Sequence, residues 1–322
     1  MIMNSIINSI KNSKCIGISF HGNPDGDALG SSLALMLGLR QLNKRAYIIS
    51  KDIAPPVYNF LPCFEEVTGE CSTVLQNTDC VIVLDCGNID RVSGSLDSKN
   101  RNYRLINIDH HVSNDLYGDY NFVDTNSSAV GEIVYQILQL LGLSITKEIA
   151  VCLYTSLITD SGSFKYSSTT SVTHTIAGDL INAGIDFSNI HRLVFENNKF
   201  KRVKLYGKVI ESIELHHNGQ LCYMELTKRM LEDCQLEASD TSDTSDIIAL
   251  GVSIASAEVV ALLKETNKGI KISLRSKNKV DVQMIAKAFS GGGHIRAAGM
   301  YIDKGLDEAK NIIINALKKE LI

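Results

Sequence analysis

Short apolar runs alternate with longer helical patterns over the first two-thirds of the chain. Residues 15–20 (CIGISF) predict a buried strand, followed by a Gly/Asp loop and a helix over 28–42. In that helix Leu29, Leu33, Leu35, Met36, Leu37 and Leu39 point nearly all round, so it is expected to lie sandwiched inside the domain. Further strands are predicted at 45–50, 80–84 (CVIVL) and 104–108 (RLINI), and further helices at 129–141 and 147–159. Strands alternating with helices predict an α/β domain with a largely parallel sheet flanked by helices.

After about residue 190 the pattern changes. Residues 191–209 are rich in charge and amide and predict a connecting helix. Runs at 209–215 and 221–226 flank Asn218-Gly219, a hairpin signal, and runs at 259–263 and 270–275 flank Asn267-Lys268-Gly269. A helix over 282–289 follows. The chain closes with a helix carrying Leu306, Ala309, Ile313, Ala316 and Leu317 on one face. Residues 238–246 (ASDTSDTSD) read as a polar loop. The expected division is a catalytic domain over 1–190, a linker helix over 191–206 and a smaller α/β domain over 207–322, with the active site in the cleft between them.

Composition narrows the function. The chain has 322 residues, room for about two domains. Lys+Arg 32 against Asp+Glu 36 gives a net charge of −4, which excludes a broad basic surface for long duplex nucleic acid. The most apolar long stretch, 247–263, is broken by Ser253, Ser256 and Glu258, and Lys11 and Lys14 follow the apolar N-terminal residues instead of preceding them. Neither a membrane span nor a signal peptide is expected. The 8 Cys include no C-x-x-C pair and read as buried thiols of a reducing cytoplasm.

The candidate chemistry lies at the carboxyl ends of predicted strands, where open α/β sheets place ligands. The first loop, HGNPDGDALGS, offers His21, Asp25 and Asp27; taken alone, its acids could simply form an Asx turn and a helix cap. Asp85 directly follows strand 80–84, and Asp109-His110-His111 follows strand 104–108. Asp160 sits at the end of helix 147–159, where the macrodipole disfavours a negative charge. Parallel neighbouring strands bring such acids to one edge. Two carboxylates at about 4 Å repel by ~4 kcal/mol at an effective dielectric of ~20, which bound divalent cations relieve.

HGNPDGDALGS, Asp85, the DHH triplet at 109–111 and DSGSF at 160–164 together resemble the DHH phosphoesterase superfamily. GGGHIRAAG at 291–299 resembles the glycine-rich signature of the DHH-associated C-terminal domain. Length and layout are most similar to the short members, the bifunctional oligoribonuclease/pAp phosphatases or nanoRNases. The resemblance implies two divalent metals, Mn²⁺ foremost with Mg²⁺ or Co²⁺ as alternatives. His21 and Asp25 would hold one, Asp27, His110 and Asp160 the other, and Asp85 would bridge. It further implies that Asp109 orients a neighbouring group and that His111 faces the substrate phosphate.

In the second domain, Gly291, Gly292 and Gly293 followed by His294 predict a backbone nest for an anion, and Arg275 a planar fork suited to phosphate. Arg91, six residues after Asp85, is a further candidate for reaching the site. Tyr117 and Tyr120 fit core packing better than base stacking. The expected substrates are short RNA oligonucleotides and small nucleotides, cleaved in the cytoplasm by a chain that admits a homodimer. A cyclic or linear dinucleotide phosphodiesterase is the nearest alternative. A single-strand DNA exonuclease and an inactive nucleotide sensor stand further off.

Overall fold

The structure, a computed structural model, describes residues 2–97, 101–241 and 244–321. The chain forms two compact units, Met1–Asn197 and Asn198–Ile322. Among the described residues no helix is long and apolar enough to cross a membrane.

The first unit runs α1 (Ile2–Asn12), β1 (Cys15–Ser19), α2 (Gly26–Gln41), β2 (Arg45–Ile48), β3 (Cys80–Leu84), β4 (Arg104–Asp109), β5 (Tyr120–Val123), α3 (Val130–Leu140), α4 (Lys147–Asp160), α5 (Ser171–Asn182) and α6 (Phe187–Phe195). Its five strands lie in the order β2-β1-β3-β4-β5, every neighbouring pair parallel. β1 and β3 are buried along their whole length, which is why their sequences are apolar runs without alternation. The main core joins the sheet to α2, α3 and α4, and a smaller cluster of Ile49, Val81, Val83, Cys86, Val92 and Leu105 fills the other face.

α2 is buried almost throughout, as its all-round apolar pattern requires. Its tightest neighbour is α4: a Cβ at Gly30 would collide with the carbonyl of Cys152. Only glycine permits this approach. It places the start of α2, with Asp25 and Asp27, beside the end of α4, with Asp160.

The second unit runs α7 (Phe200–Glu211), β6 (Glu214–His216), β7 (Leu221–Leu226), α8 (Lys228–Asp233), α9 (Ser245–Val252), β8 (Val259–Thr266), β9 (Gly269–Ser276), α10 (Val282–Ala288), β10 (Gly292–His294), β11 (Ala297–Ile302) and α11 (Leu306–Glu320). Its sheet is mixed, in the order β10-β11-β9-β8-β7-β6, with β7 and β8 parallel and the other pairs antiparallel. α11 buries Ala309, Ile313, Ile314 and Leu317 against it.

Several expectations need correction here. The segment 191–209 is two helices, the end of α6 and most of α7, broken after Phe195. The apolar run from 209 starts as helix, because Val209 and Leu205 together fill the core under α7, and the strand of the hairpin begins only at Glu214. The polar loop at 238–246 is a 3₁₀ turn over Ala238–Thr241 followed by the start of α9, with 242–243 outside the described residues. Residues 292–294 of the glycine run form a strand: Gly293, at φ +140°, pairs with Ala298 in an edge hairpin that β10 and β11 form.

Candidate metal centre

The loops after β1 and β3 and the end of β4, at the carboxyl edge of the first sheet, carry acids into one place. Asp25 caps α2 with Oδ1, which accepts from the backbone N–H groups of Asp27 and Ala28, both at 3.1 Å. Its other oxygen stands 3.7 Å from His21 Nε2. One carboxylate thus does both jobs considered for it, helix cap and site acid.

Asp27 is buried and has both oxygens committed. Oδ2 accepts from Val130 N at 2.8 Å, and Oδ1 accepts from Gly131 N at 3.2 Å and from Ser156 Oγ at 2.6 Å. The amino end of α3 therefore steadies its charge. Asp85 follows β3 in the left-handed region, φ +52°, a conformation that acidic residues tolerate better than most and that recurs at functional sites. Asp160 ends α4 with its Oδ2 at 3.4 Å from His110 Nε2.

These groups converge on Asp85. Its Oδ2 lies 3.4 Å from His21 Nε2, and its Oδ1 lies 3.6 Å from His110 Nε2 and 3.5 Å from His111 Nδ1. Ligand atoms of His21, Asp25 and Asp85 lie within 4.8 Å of one another, as do those of Asp27, His110 and Asp160. Two donor sets of carboxylate and imidazole, side by side, suit hard or borderline divalent ions. Oδ1 of Asp85 is buried and has no hydrogen-bond partner. A buried anionic oxygen without a donor is expensive, and a cation there removes the penalty. The residues fit a metal pair.

The second histidine of the triplet is held differently from the first. His110 Nδ1 contacts the Ser127 carbonyl at 3.1 Å, which turns Nε2 toward the acids. Asp109, fully buried, accepts at Oδ1 from His111 Nδ1 at 2.7 Å and from the His110 N–H at 2.8 Å, and at Oδ2 from Asn114 at 2.6 Å.

Protonation follows from this crowding. Burial opposes charge on His21, but hydrogen bonds and charge from Asp25 and Asp85 outweigh it and raise its pKa to about 11. Burial likewise opposes His110, yet Asp27, Asp160 and Asp85 lift it to about 9. Desolvation, with Asp85 and Asp25 adding to it against His110, lifts Asp160 to about 6. Asp27 is raised by burial, then by Asp85 and Asp160. Desolvation also works against Asp25 and Asp109, yet His21 holds the first and His111 the second below the usual carboxylate range. Without metal, protons on the histidines compensate the carboxylates.

The remaining candidates belong to other segments of the chain. Arg91 is exposed; its carbonyl accepts from Gly22 N at 2.7 Å and so braces the His21 loop. Arg275, near the end of β9, and Gly291, Gly292, Gly293 and His294 all lie in the second unit, where the run 292–294 is exposed. Tyr117 is half-buried and donates to the Cys86 carbonyl at 2.8 Å, propping the loop after Asp85, while Tyr120 opens β5.

The sequence reading missed the supports. Glu132, 2 % exposed, accepts at Oε1 from Ser128 N at 3.2 Å, from Ser128 Oγ at 2.5 Å and from Thr173 Oγ1 at 2.6 Å. This clamps the turn that supplies the Ser127 carbonyl and the N–H groups that Asp27 accepts from. No local signal marks this: Ser128 stands four residues before Glu132, one more than a capping box, and the N-cap is Ala129.

Residues 15–157 match the DHH family, N-terminal domain, and residues 234–321 the DHHA1 domain. The bifunctional oligoribonuclease and PAP phosphatase NrnA of Thermus thermophilus is 33% identical, over 95% of this chain and 90% of its own. The protein of that name from Bacillus subtilis is 30% identical over 91% of this chain and 90% of its own. The crystal structure of an exopolyphosphatase-related protein from Bacteroides fragilis superposes with a TM-score of 0.91 at 26% identity, covering 99% of this chain and 96% of that one.

Proposed function

The chain belongs to the DHH family, and from that premise we propose that it hydrolyses very short oligoribonucleotides to mononucleotides and removes a phosphate from 3′-phosphoadenosine 5′-phosphate. Relatives similar over nearly the whole chain carry those two activities in their names. The observation that carries the reading is Asp85, whose Oδ2 faces His21 and whose orphaned Oδ1 faces His110 and His111.

His21, Asp25 and Asp85 would hold one divalent ion, and Asp27, His110, Asp160 and Asp85 the other, Mn²⁺ being the ion expected. When bound, such ions neutralise phosphate charge and make water a competent nucleophile near neutral pH. Asp109 fixes the imidazole of His111 through Nδ1, so that Nε2 presents a proton to the oxygen leaving phosphorus. Arg275, with the backbone of Gly291 to Gly293 and with His294, is assigned the grip on the nucleotide; Arg91 is a further phosphate contact. The net charge of −4 supports small substrates over long duplexes.

The test is product analysis with Mn²⁺ on end-labelled RNA dimers and pentamers, a long single-stranded DNA, 3′-phosphoadenosine 5′-phosphate and a cyclic dinucleotide. Mononucleotides from the RNA dimers, with phosphate from the adenosine bisphosphate, support the proposal. Turnover of the cyclic dinucleotide alone, or of long DNA in preference, rejects it.

A further inference from the structure

A polar cavity of about 800 Å³ lies at the edge of the first sheet opposite the acidic cluster. It is walled by α1 and by the residues that open β4 and β5. β4 runs from Arg104 at this cavity to Asp109 at the acidic cluster, five steps of about 3.3 Å, so a ligand here is remote from the metal centre.

The walls have an unusual charge arrangement. Asp79 spends Oδ2 on the backbone N–H groups of Lys14 and Cys15, at 2.7 and 2.9 Å. Asp119 gives one oxygen to Arg101 at 2.6 Å and the other to Leu105 N at 2.9 Å. Both acids are exposed but engaged, Asp79 through one oxygen and Asp119 through both, and neither carboxylate bonds the Arg104 side chain. Arg104 is exposed, with its guanidinium 5.2 Å from the centroid of the Tyr120 ring and a 3.1 Å hydrogen bond to that phenol. Among the described residues it has no carboxylate partner. A guanidinium tethered to an aromatic side chain through one nitrogen keeps other N–H groups in a planar fork, the geometry that receives phosphate.

Facing Arg104, α1 turns a stripe of Ser5, Asn8, Ser9 and Asn12 toward the cavity, while Ile6 and Ile10 enter the core. The stripe is polar but uncharged, so it neither repels nor neutralises an anion. Asn8 and Asn12 are exposed and one turn apart, and each amide offers a donor beside an acceptor, the pairing that matches the edge of adenine.

We propose that this cavity binds a purine nucleoside monophosphate, its phosphate on Arg104 and its base edge on Asn8 and Asn12. The site owes nothing to the metal cluster, so it stands or falls separately from the phosphoesterase reading. AMP is titrated by equilibrium dialysis into the full chain in excess EDTA. One AMP per chain is expected, weakened about tenfold or more in Arg104→Ala, partly restored in Arg104→Lys and unchanged in Arg275→Ala. Asn8→Ala with Asn12→Ala should weaken AMP but leave inorganic phosphate binding as it was, and hydrolysis of RNA dimers with Mn²⁺ should be the same in all the α1 and Arg104 variants. No AMP bound in EDTA, binding unaffected by Arg104→Ala, or loss in Arg275→Ala overturns the proposal.

Discussion

Asp109 holds His111 by one ring nitrogen: the carboxylate Oδ1 accepts from Nδ1 at 2.7 Å. The same oxygen takes the backbone N–H of His110. A single buried acid therefore sets the ring of one histidine and the peptide from which the other hangs. Asp109→Asn keeps the shape but exchanges an ionic acceptor for a neutral amide. We expect kcat on RNA dimers to fall about 10–100-fold, with divalent-ion stoichiometry preserved. A wild-type kcat would remove Asp109 from the account.

Glu132 acts at one further remove. Replacing it with Ala strips acceptors from Ser128 and Thr173, both buried. Leaving such donors unpaired costs about 1–3 kcal/mol, to be read as a shift in the urea midpoint at constant slope. Glu132→Gln retains one acceptor oxygen and should recover most of that stability. Because the clamped turn carries the Ser127 carbonyl, Mn²⁺ affinity should weaken in Glu132→Ala and largely recover in Glu132→Gln. Unchanged affinity in Glu132→Ala would confine the residue to folding.

The histidines give a pH signature. In the metal-free chain His21 and His110 are raised from 6.5 to about 11 and about 9. A raised folded pKa contributes stability that is complete below the unfolded value and disappears as pH climbs through the folded one. EDTA-treated protein should accordingly lose thermal stability as pH rises from 6.5 through 9. Metal ligation needs the neutral rings, so ion uptake should release protons and tighten over the same window. Calorimetry in two buffers of different ionisation enthalpy measures that release; no net proton release would contradict the protonation pattern.

Arg275 is assigned to the substrate, not the chemistry. Arg275→Ala should raise KM for RNA dimers more than it lowers kcat. An unaltered KM, with a reduced kcat, would reverse that assignment.

Much of this was legible in the chain itself. β3 runs over Cys80–Leu84, the bounds its apolar run predicts, and the acids after β3 and β4 announced the site edge, because a parallel sheet collects the ends of its strands. α1 and β5 were not foreseen. The apolar positions of α1 lie in a stretch weighed only as a leader, and β5 is four half-buried residues at a sheet edge, too short to show alternation. The supports of the site were hidden for another reason. Asn114, Ser127, Glu132 and Ser156 matter through hydrogen bonds that join distant segments, and residue type alone does not record a partner.

The most direct measurement is the divalent-ion content of the purified chain beside its Asp85→Ala variant, taken together with RNA-dimer turnover. The account predicts two ions per wild-type chain, loss of at least one in the variant, and loss of hydrolysis with it. A variant that keeps both ions, or cleaves RNA dimers at the parent rate, would contradict it.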